Sequence, residues 1–158
     1  MSEKRWNVVI AGLSHDHIWG ELAHWKNLPN AKIIGVAETD TRLIERFSAE
    51  FPDVPVFSST DAMYSALSGQ ANITQIAAPN AHHAHLAVEA FANGCHVITE
   101  KPMASTLADA LAVRRETGLA PMSIIWSPCG WGGMVRISFG GEFGGGLAQP
   151  RVYRTQKP

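Results

Sequence analysis

Short apolar runs alternate with amphipathic segments over the first 118 residues of the chain. Runs of Val, Ile and Ala without polar interruption are typical of strands buried on both faces of a sheet. The segments between them carry apolar residues at helical spacing, which predicts helices packed on that sheet. The predicted strands are 6–11, 32–37, 54–57, 72–78 and 95–99. The predicted helices are about 16–28, one after residues 39–40, a small one after 59–60, 82–93 and 106–117.

Turn residues support these boundaries. Thr39 or Asp40 can cap the second helix, Pro79 ends the fourth strand, and Gly94 suits the left-handed cap of a helix. Strands that alternate with helices form a parallel sheet with right-handed crossovers. The sequence therefore predicts an α/β fold with a doubly wound parallel sheet, to which residues 122–126 add a sixth strand.

Composition narrows the class of protein. A chain of 158 residues is long enough for one domain with a substantial core, and its net charge of -1 gives no reason to expect nucleic acid or a membrane surface as a partner. No apolar run approaches the roughly 20 residues of a membrane span. Two cysteines, one in a predicted core strand, make a structural disulfide an unattractive interpretation. We expect a cytoplasmic protein.

The chain changes character after residue 118. Residues 119–158 carry 4 basic residues and 1 acidic residue, and 8 of the 14 glycines lie between Gly130 and Gly146. Such glycine density opposes ordered structure. We therefore divide the chain into a dinucleotide-binding domain at 1–126 and an irregular, Gly-rich tail at 127–158. The tail is either disordered or the product of a frameshift between about Arg114 and Pro128, and resequencing the locus distinguishes a frameshift from a natural short form.

The first strand leads into a turn that suits a dinucleotide. In G-x-G-x-x-G turns, backbone N–H groups and a helix N-terminus meet the pyrophosphate. Here only Gly12 matches, because Ser14 and His17 occupy the second and third glycine positions. We assign Gly12, Ser14, His15 and His17 to cofactor binding, although a turn that binds nothing also fits this sequence.

An acidic residue follows at the expected distance. Glu38 ends the second strand, about 20 residues after the turn, where such an acid accepts hydrogen bonds from the adenosine ribose. Its charge would repel a 2′-phosphate, so NAD is favoured over NADP. Asp40 is the alternative acid, and an ordinary solvent-facing glutamate is the competing interpretation.

Two further strand ends carry polar residues. Pro79 and Asn80 follow the fourth strand and lead into His82, His83 and His85. This histidine cluster, with His15 and His17 on a neighbouring loop, invites a metal interpretation. It lacks the i, i+4 spacing of helical zinc motifs and a matching set of acids, so we expect no metal site.

Glu100 and Lys101 end the fifth strand, and Pro102 stops it. Ligands bind at the carboxyl edge of open α/β sheets. A lysine there could orient a substrate hydroxyl and move its proton, with Glu100 holding the lysine in position. A solvated ion pair at a strand end is the alternative.

Taken together, residues 6–118 resemble the N-terminal half of the glucose–fructose oxidoreductase/inositol dehydrogenase (Gfo/Idh/MocA) family. The resemblance rests on 36–38, on 79–83 and above all on the sequence His-Val-Ile-Thr-Glu-Lys-Pro at 96–102. It implies a Rossmann-like NAD(P)-binding domain in an oxidoreductase that transfers hydride between a nicotinamide and a sugar, inositol or related polyol. The family continues with a second domain that supplies most substrate contacts, and we expect this chain to lack it.

The resemblance also implies roles for individual residues. Gly12, Ser14, His17 and Glu38 would surround the dinucleotide, while Pro79, Asn80 and His83 would line its nicotinamide end. We take Lys101, which would face the substrate, and His83 as the catalytic candidates, and Glu100 and Lys101 also as cofactor neighbours. We expect this chain to be inactive by itself. A non-catalytic NAD-binding or sensing module is the alternative, and a homo-oligomer is left open.

Overall fold

A computed structural model describes residues 5–119, 123–126, 135–138 and 151–154. The strands are β1 (Trp6–Ala11), β2 (Ala31–Ala37), β3 (Val56–Phe57), β4 (Ile73–Ile76), β5 (His96–Thr99), β6 (Ser123–Trp126), β7 (Val135–Ser138) and β8 (Arg151–Arg154). The helices are α1 (Ile18–Asn27), α2 (Thr41–Glu50), α3 (Thr60–Leu67), α4 (His83–Ala92) and α5 (Leu107–Leu119), with a 3-10 turn at Asn80–His82.

All described strands belong to one sheet, in the order β3-β2-β1-β4-β5-β6-β7-β8. Neighbours from β3 to β6 pair in parallel, and β7 and β8 pair antiparallel at the far edge. The chain winds outward from β1 in one direction and then, from β4 onward, in the other. This doubly wound order confirms the predicted α/β fold and brings the carboxyl ends of β1, β2, β4 and β5 to one edge.

Two helical layers cover the sheet because side chains of β1 alternate between its faces. Val8 and Ile10 pack in one core cluster with α1 and α2, where Ile18, Leu22 and Phe47 are buried. Val9 and Ala11 pack in the other cluster with α3 and α4. Residues 8–11 of β1 are completely buried. Because these residues are covered on both faces of the sheet, all of them are apolar, which explains the continuous apolar run in the sequence.

Caps fix the ends of the helices. The Asp40 side chain accepts the N–H of Arg42 at the start of α2, and the Ser59 side chain accepts the N–H of Ala62 at the start of α3. Gly94 follows α4 with φ +74°, as predicted for a left-handed cap. Helix α1 begins two residues later than predicted, at Ile18, so His17 belongs to the preceding turn.

Strand β2 contains one extra residue relative to β1. Val8 pairs with Ile33 and Val9 pairs with Gly35, which leaves Ile34 as a bulge. After the bulge Val36 joins the α1 and α2 side of the core, where Ile33 also packs. The bulge therefore sets which face each residue of the end of β2 occupies.

The last part of the chain contributes strands. β6 confirms the sixth predicted strand, and β7 and β8 lie within the segment expected to be irregular. The remainder of the predicted tail, and the Pro128 end of the predicted frameshift region, lie outside the described residues. Within the described part of the chain, no helix has the length and apolarity needed to cross a membrane.

Candidate functional site

The candidate residues follow the carboxyl ends of four parallel strands. Gly12 to His17 follow β1, Glu38 follows β2, Pro79 and Asn80 follow β4, and Glu100 and Lys101 follow β5. Parallel strands end at the same edge of a sheet, and a crevice opens where the strand order reverses, here between β1 and β4. The topology therefore gathers residues that are scattered in the sequence.

Gly12 begins the turn after β1 in a conformation that favours glycine. Its φ is +84°, and a Cβ at this position would lie 3.0 Å from the Cα of Ala78. The Gly12 N–H donates to the carbonyl of Ala37 at the end of β2. Both the backbone conformation and the close approach of Ala78 therefore require glycine here.

The rest of the turn is held to the end of β4. The backbone N–H of His15 and the hydroxyl of Ser14 both donate to the carbonyl of Ala77, at 3.0 and 3.3 Å. Ser14 is exposed and does not adopt a positive φ, so serine is unstrained at the second glycine position. Among the described residues, no acceptor takes the N–H of Ser14 or Asp16. The turn thus retains backbone donors that an anion could use.

Glu38 joins the turn to the end of β2. One of its oxygens, Oε2, accepts the N–H of Leu13 at 2.7 Å. The other, Oε1, accepts the N–H groups of Thr39 at 2.7 Å and Asp40 at 3.0 Å. An ionised carboxylate offers about four lone-pair directions, so Oε2 keeps one free of backbone donors. The acid and the turn that the sequence assigned to one cofactor site are therefore in direct contact.

Asp40, the alternative acid, has a different role. Its side chain caps α2 and also accepts from the guanidinium of Arg42, at 2.8 Å between Arg42 Nη2 and Asp40 Oδ2. Hydrogen bonds from Arg42 lower the pKa of Asp40 to about 2. Since Asp40 is committed to the helix cap and to Arg42, Glu38 is the better candidate for the ribose.

His83 lies inside the protein. The residue is completely buried, with Nδ1 2.8 Å from the carbonyl of Pro102 and Nε2 2.9 Å from the carbonyl of Ala78. Both contacts are to backbone oxygens, so the ring ties the loop after β5 to the end of β4. The sequence interpretation placed His83 against the nicotinamide and among the catalytic residues. In this structure both ring nitrogens face backbone carbonyls, and the assignment of His83 to the nicotinamide and to catalysis stays a prediction.

Glu100 is a buried carboxylate beside the turn after β1. Its side chain is 5% exposed, and Oε1 lies 3.3 Å from Nδ1 of His17, whose side chain is 45% exposed. Its Oε2 accepts the backbone N–H of Lys101 at 3.3 Å. Burial of a carboxylate is costly unless donors surround it, so His17 and the Lys101 amide stabilise its charge. Lys101 itself is exposed at the edge of the sheet.

The remaining candidates lie on the surface at the end of β4. Pro79, Asn80, His82 and His85 are exposed, and the carbonyl of Asn80 accepts the hydroxyl of Ser105. Within the described residues, the side chains that come within mutual ligand distance of one another are those of His15, His17 and Glu100. His82 and His85 do not join them.

Sequence reasoning missed the contact between His17 and Glu100. The two residues are 83 positions apart. The sequence placed each residue at the carboxyl edge of the sheet. The contact between them could have been inferred only from the strand order, in which β4 is the neighbour of both β1 and β5. The burial of Glu100 was also missed, because a glutamate before lysine and proline is typical of a solvated strand end.

The site fits a dinucleotide at three points. Gly12 allows the chain to turn tightly, the turn retains N–H donors, and Glu38 lies at the tip of β2 against that turn. These are the features through which doubly wound folds hold a pyrophosphate and an adenosine ribose. The histidine at the third glycine position is the main departure.

Solved structures share this fold. The chain superposes on the NAD-binding protein from Listeria innocua with a TM-score of 0.67 and 24% identity, covering 78% of this chain and 35% of that one. It superposes on an oxidoreductase from Agrobacterium radiobacter in complex with NAD+, L-tartaric acid and magnesium with a TM-score of 0.69 and 20% identity, covering 78% and 35%. For myo-inositol 2-dehydrogenase from Lactobacillus plantarum the TM-score is 0.68 and the identity 16%, covering 78% and 36%.

The chain thus spans about a third of the length of these structures. No protein with a curated function matches its sequence. The model of one protein family matches residues 6–117. This family is GFO_IDH_MocA, described as an oxidoreductase family with an NAD-binding Rossmann fold. Because this match includes more than half of the chain and the whole edge described above, the protein belongs to the Gfo/Idh/MocA oxidoreductase family.

Proposed function

We propose that residues 6–117 bind NAD as the nucleotide half of a dehydrogenase that acts on a sugar, inositol or related polyol. The observation that carries the proposal is the 2.7 Å hydrogen bond from the Leu13 N–H to Glu38 Oε2. It joins the turn expected to meet the pyrophosphate to the acid expected to meet the ribose. Membership of an NAD-binding oxidoreductase family supports the same cofactor class.

Glu38 is proposed to select NAD over NADP. Its Oε2 has one backbone donor, so it can also accept a ribose hydroxyl, whereas Oε1 is already occupied by two N–H groups. A 2′-phosphate on that ribose would bring negative charge against a carboxylate that its backbone contacts hold in place. The preference therefore rests on electrostatic repulsion as well as on hydrogen bonding.

Lys101 is proposed to face the substrate. When bound, the nicotinamide supplies the hydride chemistry. The chain would supply position: His83 fixes the carbonyl of Pro102, Glu100 accepts the Lys101 N–H, and the Lys101 ammonium stays exposed at the edge of the sheet. There the ammonium can donate a hydrogen bond to a substrate hydroxyl, and the neutral amine form can take the proton of that hydroxyl and, as the ammonium, return it.

The substrate class is supported by relatives of the same fold. One neighbour is an inositol dehydrogenase, and another was solved with tartaric acid, which also carries secondary hydroxyl groups. Because this chain covers only 36% and 35% of those two proteins, we expect these 158 residues to bind NAD with little or no turnover by themselves. Binding without turnover is also the behaviour of the alternative, an NAD-sensing module.

The test is titration of the purified chain with NADH and NADPH, followed by tryptophan fluorescence. We expect saturable NADH binding and weaker NADPH binding. Glu38→Ala should weaken NADH binding at least about tenfold, the equivalent of about 1.4 kcal/mol, since it removes hydrogen bonds to a charged acceptor. Glu45→Ala, which removes an exposed carboxylate from α2, is the matched control and should bind NADH normally.

A purely structural role of Glu38 would weaken both dinucleotides equally. The proposal requires Glu38→Ala to raise the affinity for NADPH relative to NADH, because the repelling charge is gone. A folded wild-type chain that binds neither dinucleotide, or an unchanged ratio in the variant, would contradict it. Circular dichroism and a thermal melt establish whether each variant is folded.

A further inference from the structure

Two histidines and a glutamate meet at the carboxyl edge of the sheet, where the turn after β1 approaches the end of β5. His15 and His17 come from the turn after β1, and Glu100 comes from the end of β5. One ligand atom from each lies within 4.8 Å of the others. The rings of His15 and His17 are 4.7 Å apart between centroids and tilted by 52°. We call these three residues the His–His–Glu cluster.

The spacing in the cluster is close to that of a metal site. Ligand atoms about 2.0–2.1 Å from a tetrahedral zinc ion lie about 3.3 Å from one another. Nδ1 of His17 and Oε1 of Glu100 are 3.3 Å apart. Even the widest separation within the cluster needs to shorten by only about 1.5 Å. Rotation of the His15 ring, on a turn that is partly exposed, can supply that movement.

The chemistry of the cluster also fits. Two imidazoles and one carboxylate form the protein ligand set of catalytic zinc sites that keep an open position. Glu100 provides a buried negative charge, and the Lys101 N–H on its Oε2 orients the carboxylate so that Oε1 faces His17. Such outer hydrogen bonds commonly hold metal ligands in place.

A simple ion pair explains less of the geometry. An interaction between His17 and Glu100 alone gives no reason for His15 to lie against them. The Nδ1 atom of His15 accepts the backbone N–H of His17 at 3.4 Å, a long hydrogen bond that does little to hold the ring. A shared cation would account for all three side chains.

We propose that the His–His–Glu cluster binds one divalent transition metal ion, with zinc as the expected type, and leaves at least one coordination position open toward the edge of the sheet. This differs from the sequence-based expectation of no metal site, which considered His82 and His85 as partners of His15 and His17. That expectation did not include Glu100 as a metal ligand, because Glu100 approaches the turn after β1 only in the folded chain.

The experiment measures metal binding by the 158-residue chain without dinucleotide, so it does not depend on the proposed cofactor. Because Cys129 lies outside the described residues and its thiol could bind metal, the measurements use a Cys129→Ser background. Co²⁺ is titrated and followed by its visible absorption, and Zn²⁺ is titrated by calorimetry. Mg²⁺, which prefers oxygen ligands, serves as the comparison ion.

We expect one equivalent of Co²⁺ or Zn²⁺ to bind, with no binding of Mg²⁺ at the same concentration. His15→Ala and Glu100→Gln should each weaken binding at least tenfold, since even the loss of an outer hydrogen bond costs about 10–100-fold in metal affinity. His82→Ala and His85→Ala remove exposed histidines outside the cluster and should bind metal normally.

Three outcomes would overturn the proposal. The first is a folded chain that binds no transition metal stoichiometrically, and the second is equal affinity for Mg²⁺. The third is binding that survives both His15→Ala and Glu100→Gln with unchanged affinity. Should Glu100→Gln fail to fold, His15→Ala decides alone, because His15 contributes its side chain to no long-range hydrogen bond that the structure records.

Discussion

Replacement of His83 tests whether this buried ring holds the loop that carries Glu100 and Lys101. In His83→Ala the carbonyls of Pro102 and Ala78 lose their contacts at 2.8 and 2.9 Å. A neutral imidazole has one N–H and donates to one carbonyl at a time, so one hydrogen bond is the minimum loss.

The magnitude follows from burial. Leaving a buried carbonyl unsatisfied costs about 1–3 kcal/mol. A cavity of about 50 Å³ left by the ring adds about 1 kcal/mol at about 24 cal/mol per Å³. We expect His83→Ala to lower the free energy of unfolding by about 2–4 kcal/mol. With a urea slope of about 2 kcal/mol per M, the midpoint should fall by about 1–2 M.

The assay is equilibrium urea unfolding, followed by circular dichroism. His85→Ala is the matched control, because it removes an exposed histidine from the same helix and should change stability by less than about 0.5 kcal/mol. His83→Gln keeps an N–H donor and should recover part of the loss. Equal midpoints for wild type and His83→Ala would refute the claim that this ring holds the loop after β5 to the end of β4.

Other predictions follow from the core. Gly12→Ala should lower the melting temperature, because positive φ strain of about 1–2 kcal/mol adds to a Cβ contact at 3.0 Å, whereas Gly20→Ala on α1 meets no neighbour and should stabilise slightly. In a Cys129→Ser background, a thiol reagent should modify Cys95 only upon unfolding, because burial removes access and raises its pKa. Burial also raises the pKa of Tyr64, so the Cys95 thiol and the Tyr64 hydroxyl lose their protons at lower pH in the unfolded chain than in the folded chain. Urea unfolding from pH 7 to 11 should therefore show full stability below about pH 8, a loss above it from Cys95 and a steeper loss above about pH 10 from Tyr64, with a limit of about 1.4 kcal/mol per pH unit for each group; a flat profile would contradict this.

The sequence predicted the elements well where a local signal existed. The apolar run at residues 6–11 specifies a strand buried on both faces, and the structure has β1 at those residues. Gly94 and Asp40 occupy the predicted helix ends because left-handed backbone and N-terminal capping are local preferences. Such preferences act within a few residues and can be read directly.

The site was only partly predictable because its key contacts are long-range. Strand ends identify Glu38, Glu100 and Lys101 as residues of one edge, yet nothing local distinguishes a buried glutamate from a solvated one. His83 sits among exposed histidines in sequence, and only the packing of α4 against the sheet buries its ring. Tertiary packing determines which side chains are buried and which residues they contact, and local sequence patterns do not specify that packing.

The bulge in β2 has a consequence for how this chain can change. Side chains of a regular strand alternate between faces, but Ile33 and Val36 lie three positions apart and still pack on the same side of the sheet, because Ile34 is the extra residue between them. Deletion of Ile34 would therefore leave a regular strand in the same register and would keep Glu38 within reach of the Leu13 N–H. Insertion of one residue between Val36 and Glu38 would instead turn the acid to the opposite face. The bulge thus gives β2 one residue that can be lost without moving the acid at its end.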